Sequence, residues 1–79
     1  MDWRDHIDSD PNVLLGKPRI KGTRISADLI LRVTGAGWSR EQILDSYPHL
    51  TDEQICAVYA YAADLVEDAQ TVPGERRAA

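Results

Sequence analysis

Apolar and polar positions change their spacing near residue 26, and the change divides the chain into a β-like start and a helical remainder. In Lys17-Pro18-Arg19-Ile20-Lys21 the charged and apolar positions alternate. A strand there sets three cations on one face and apolar groups on the other. Gly16 and Gly22 bracket it, and Pro18, with no amide donor, places it at an edge or interrupts it. Asp10-Pro11-Asn12 is a turn signal, with Ile7 before it and Val13-Leu14 after it. The pattern predicts two short strands of a hairpin at Ile7 and at Val13-Leu14. A third strand follows at Arg19 to Lys21, extended by Arg24-Ile25.

From Ser26 onward the spacing is helical. Ser26 is an N-cap, Asp28 suits the positive end of the helix dipole, and Leu29, Ile30 and Val33 share a face. Gly35-Ala36-Gly37 ends this helix. Trp38 follows as a packed staple. Ser39-Arg40-Glu41-Gln42 is a capping box for a short second helix anchored by Ile43 and Leu44 and stopped at Tyr47-Pro48. Thr51-Asp52-Glu53-Gln54 repeats the box and opens a long third helix reaching about Ala69. Its core face is predicted to hold Ile55, Val58, Tyr59, Ala62, Leu65 and Val66. Off that face, Cys56, Ala60, Ala63 and Glu67 form a second stripe, with Ala57 and Tyr61 beside it. Cys56, Ala60 and Ala63 are candidates for a contact between subunits, although alanine is also simply a strong helix former. The fold expected is mainly α: a short N-terminal β segment over 1–25, a three-helix domain over 26–69, and a mobile tail over 70–79.

Composition narrows the class. At 79 residues the chain is one small domain, for which a homodimer or larger assembly is a natural way to bury more apolar surface. Its single cysteine, Cys56, cannot form an internal bridge, which fits a reducing compartment. The start M-D-W-R-D-H-I-D lacks the apolar run of a signal peptide, and no stretch can span a bilayer, so a cytoplasmic location is expected. Net charge is -4, which argues against a generic nucleic-acid binder. The distribution matters more than the total. Lys17, Arg19, Lys21 and Arg24 form a basic block, whereas from Glu41 to Asp68 every ionised group is acidic. Such polarity suits an anionic contact at one end and a cationic one at the other, the alternative being that both are ordinary solvated surface.

Taken together, D-P-N-V-L-L-G-K-P-R-I-K-G-T-R-I-S, the later G-W-S-R-E-Q-I-L-D-S-Y-P-H-L-T-D-E-Q-I and the alanine- and tyrosine-rich helix after it resemble the bacterial domain-of-unknown-function family 433. The most specific parts are G-K-P-x-I-x-G-T-R-I and Y-P-x-L-T. Members of that family typically read G-G-K-P, and Leu15 stands here in place of the first glycine. The resemblance implies a homeodomain-like helix-turn-helix behind an N-terminal β segment. It also implies the role of antitoxin in a two-gene toxin–antitoxin module, whose usual neighbour resembles a PIN-type ribonuclease. The antitoxin is expected to bind and silence that enzyme, and many such antitoxins bind their own promoter. A PIN-type ribonuclease holds its metal with clustered carboxylates, so an antitoxin arginine can occupy that site. Arg76 and Arg77 are the candidates here, although a terminal pair of arginines also serves simply as solubilising charge.

Catalysis finds no support: His6 and His49 lie in separate segments, and no serine or cysteine has an identifiable base and orienting acid. Nor does any spacing suggest a metal or a cofactor, Asp8 and Asp10 reading as an acidic, solvated start. For DNA, the second helix of the motif would present Asp52, Glu53 and Gln54, two of them repelled by phosphate. The better candidates are therefore Lys17, Arg19, Lys21 and Arg24, doubled by a dimer axis. Part of that block also serves turn geometry, with Arg24 free to pair with Asp28. The rival functions are a stand-alone DNA-binding regulator and a structural oligomerisation module.

Overall fold

Two isoleucines on facing strands start the fold. The structure, a computed structural model, describes residues 1–69. Strand β1 (Ile7–Asp8) pairs antiparallel with β2 (Arg19–Ile20), setting Ile7 opposite Ile20 and Asp8 opposite Arg19. The apolar pair points inward and is buried. The charged pair points outward, as the two-residue side-chain period of a strand requires.

The expected partner strand at Val13-Leu14 is absent. Residues Leu14–Gly16 form a 3₁₀ turn in which Leu14, Leu15 and Gly16 all have positive φ, at 54°, 56° and 82°. Three left-handed residues in succession cannot lie in an extended ladder. The register passes instead to Arg19–Ile20. The Arg24-Ile25 extension survives as a tight return: the Ile20 amide donates to the Ile25 carbonyl at 2.9 Å, and Arg19 bridges to Ser26. Gly22 makes that bend at φ +77°. Thr23 fastens it, donating its hydroxyl to the Ile20 carbonyl at 2.7 Å and accepting from the Ile25 amide at 3.0 Å.

Three helices follow: α1 (Ala27–Gly35), α2 (Arg40–Ser46) and α3 (Asp52–Asp68). Each predicted cap is present. Ser26 Oγ accepts from the Leu29 amide, and Ser39/Gln42 and Thr51/Gln54 both close reciprocal capping boxes. At the end of α1, Gly37 (φ +99°) lets its own amide reach the Thr34 carbonyl and the Trp38 amide reach Val33, a Schellman ending. Trp38 beyond it is 36% exposed rather than a packed staple.

One core joins all five elements. Ile7, Ile20, Ala27, Ile30, Ile43, Leu50, Ile55, Ala57 and Val58 are buried in it. Ala57, expected outside the core face, is fully buried, because β1 and the N-terminal 3₁₀ turn (Trp3–Asp5) close a second side of α3. Conversely Leu65 and Val66, expected inside, are 52% and 73% exposed. The reason is length: α3 has 17 residues against 9 and 7 in the helices beside it, so its last turns outrun their support.

Candidate functional site

Strand pairing decides the fate of the basic block. Because Asp8 stands opposite Arg19, the guanidinium folds onto it, Nε donating to Oδ1 at 2.8 Å while Nη1 donates to the Thr23 carbonyl at 3.1 Å. Its side chain keeps 15% exposure, and the hydrogen bond to Asp8 raises its pKa above the ordinary arginine value. Arg19 is thus a clamp between the strands and the following turn, not a free contact group. Lys17 is 59% exposed, with Nζ 4.0 Å from Asp28. Lys21 and Arg24 are exposed, and among the described residues no carboxylate pairs with either. Asp28 accepts from Arg32, four residues along α1, at 3.0 Å, and so is not the partner expected for Arg24. Of the four candidate cations, three are left facing solvent around the β2–α1 turn.

The acidic half behaves differently at its two ends. At the start of α3, Asp52 accepts from Arg40 of α2 at 3.0 Å. The same guanidinium lies 3.6 Å from Cys56 Sγ, and its pKa is raised first by Cys56 and then by Asp52. Arg40 therefore covers the first member of the small-residue stripe. Ala60 is half-buried and Ala63 exposed.

At the other end of α3 the sequence offered no sign of what is found. Trp3 donates its indole N–H to Asp64 at 2.6 Å and meets Tyr61 edge-on, ring centroids 4.9 Å apart. Arg4 stacks over the same indole at 4.4 Å. Asp2 caps the 3₁₀ turn beneath it by accepting from the Arg4 amide at 3.0 Å, and that hydrogen bond holds its carboxyl below the usual aspartate value. A tryptophan three residues from the start gives no hint of its partners, which lie 58 and 61 positions away. Beside this clasp, Pro18, Ala27, Asp28, Leu31, Tyr61 and Leu65 line an open groove of about 230 Å³.

No group of three histidine, cysteine, aspartate or glutamate side chains stands together to hold a metal among the described residues. Within the same residues, no helix is long and apolar enough to cross a membrane. Arg76 and Arg77 lie outside the described residues.

The chain as a whole has relatives in sequence and in structure. The chain is 32% identical over 74 residues to the uncharacterized protein y4eO of Sinorhizobium fredii (strain NBRC 101917 / NGR234), covering 94% of this chain and 31% of that one. It spans, then, about a third of the length of that relative. A crystal structure of a DUF433 member protein from Anabaena variabilis ATCC 29413 superposes with a TM-score of 0.76 at 30% identity, over 81% of this chain and 63% of that one. The sequence matches the family described as "Protein of unknown function (DUF433)" across residues 7–62, from β1 to the middle of α3. The chain belongs to that family, DUF433.

Proposed function

We propose that this chain is the antitoxin-like member of a bacterial toxin–antitoxin pair, holding and neutralising a PIN-type ribonuclease and repressing its own operon. The observation that carries the reading is the segregation of solvent-facing charge on a small domain. Lys17, Lys21 and Arg24 gather around one turn, while α3 contributes only carboxylates. Opposite signs on separate elements suit a protein that meets an anionic polymer with one surface and a basic protein with another. A homodimer would present the three cations twice, at the spacing of its axis. The decisive experiment is co-expression with the adjacent gene. Relief of the growth arrest which that gene alone causes is expected; a neighbour that is harmless, or whose toxicity persists, sinks the reading.

A stand-alone DNA-binding regulator is the second reading, favoured by Lys21 and Arg24 having no carboxylate partner among the described residues. In it the strand-to-helix turn, rather than the start of α3, meets phosphate, because Asp52 and Glu53 stand at that helix end. A gel shift with upstream DNA across salt concentrations tests it. The Lys17→Ala, Lys21→Ala, Arg24→Ala triple variant should flatten the salt dependence, each lost phosphate contact removing about one unit of slope. Arg19 is left intact, since its removal unsettles the strand pair instead.

A further inference from the structure

We propose that the overhanging end of α3, with the groove beside it, seats a cationic amphipathic helix of a partner protein. The core-facing stripe of α3 runs Ile55, Val58, Ala62, Leu65, Val66 at helical spacing. Ile55 and Val58 are buried, Ala62 is half-buried, and Leu65 and Val66 stand 52% and 73% exposed. A face patterned as core thus continues past the body of the domain. Leu65 is also a wall of the groove closed by Pro18, Leu31 and Tyr61. At about 230 Å³ the groove falls short of the roughly 300–1,000 Å³ of small-molecule sites. It suits one inserted apolar side chain, the anchor arrangement of a helix laid in a groove.

Charge selects the occupant. Asp28 on the groove wall is already paired with Arg32 and Lys17, and Asp64 accepts from Trp3. The selecting charge is therefore that of Glu67 and Asp68, exposed in the last turn of a helix with no lysine or arginine and, among the described residues, paired with no cation. A second copy docking by two-fold symmetry would set these carboxylates against their own counterparts, because such an interface uses the same patch on both subunits. A helix carrying an apolar ridge flanked by lysine or arginine meets no such repulsion. This inference goes beyond the function proposed above, and it stands or falls whether or not the partner is a ribonuclease.

The test titrates the full chain into a fluorescein-labelled synthetic helix with leucines at i, i+3, i+4 and i+7 and lysines on the flanks. Its control has every lysine replaced by glutamate, and binding is read by fluorescence anisotropy. The lysine peptide should bind at least about tenfold more tightly than the glutamate peptide. Leu65→Ser should weaken it by about tenfold, the loss expected of an anchor contact. Trp38→Ser, at the opposite end of α1 from the groove, should leave it unchanged. Circular dichroism confirms that each variant is folded. Equal binding of the two peptides overturns the proposal, as does full affinity in folded Leu65→Ser. A dimer in sedimentation equilibrium that Leu65→Ser dissociates also overturns it, by making a second copy the occupant.

Discussion

Single residues in this chain divide into those that hold a backbone shape and those left free to touch something else. Leu15 is the plainest case of shape imposed on the wrong side chain. It is 96% exposed at φ +56°, so it gains no burial while occupying a conformation that costs an L-residue roughly 1–2 kcal/mol. Leu15→Gly, which restores the G-G-K-P reading, should raise unfolding stability by about 0.5–1 kcal/mol in urea denaturation, the relief partly offset by a more flexible unfolded chain. Arg19 and its basic neighbours divide the same way. Arg19→Ala removes the bonds to Asp8 and the Thr23 carbonyl and should lower the urea-unfolding midpoint clearly. Lys21→Ala and Arg24→Ala should each change stability by less than about 0.5 kcal/mol. Equal losses in all three variants would contradict this division between clamp and contact.

Asp2 offers a pH readout at the same scale. Its folded pKa is depressed by the Arg4 amide, so the cap is present above the ordinary aspartate value and is lost as pH falls through the lower, folded one. The Arg4 amide resonance should therefore hold its position until the pH is below the usual aspartate range, then move as the 3₁₀ turn frays. A shift centred at the ordinary value would show that the cap does not form in solution.

Elements follow from short-range signals wherever those signals are chemical. The capping boxes at Ser39 and Thr51, the Ser26 cap and the glycine ending of α1 all stand where the sequence puts them, because each depends on contacts within four or five residues. Thr51→Ala should lower stability by about 1 kcal/mol in thermal or urea unfolding, with the loss of α3 helicity visible by circular dichroism. The expected pairing of Ile7 with Val13-Leu14 fails for the converse reason. Val13-Leu14 has strand-like side chains, but the backbone at Leu14 and Leu15 is left-handed, and pairing is decided by which isoleucine shares a core with Ile7. Alternation alone cannot choose between two nearby partners.

For the molecule as a whole, the family motif turns out to be mostly scaffold. In G-K-P-R-I-K-G-T-R-I, Gly16 and Gly22 set the bends, Ile20 fills the core and Thr23 fastens the return; in Y-P-H-L-T, Leu50 is buried and Thr51 caps α3. Only Lys17, Lys21 and Arg24 among these residues present charge to solvent. Ile20 lies fully buried in the core that the strands share with the helices. Ile20→Ala should cost about 2–5 kcal/mol, enough to bring so small a domain close to unfolding, as judged by the loss of a cooperative thermal transition. A sharp transition within a few degrees of the parent would show that the core does not depend on that strand.

Local chemistry written in the sequence determined the helices, their caps, the order of elements and the gathering of basic and acidic residues into separate segments. Tertiary structure alone decided which charges are spent inside the fold, because an arginine is free or clamped according to what a strand register sets across from it. It alone placed Trp3 on Tyr61 and Asp64, contacts between opposite ends of the chain that no local pattern encodes. And it left Leu65 and Val66 uncovered, since helical spacing marks which face is apolar but not how far the neighbouring elements reach along it.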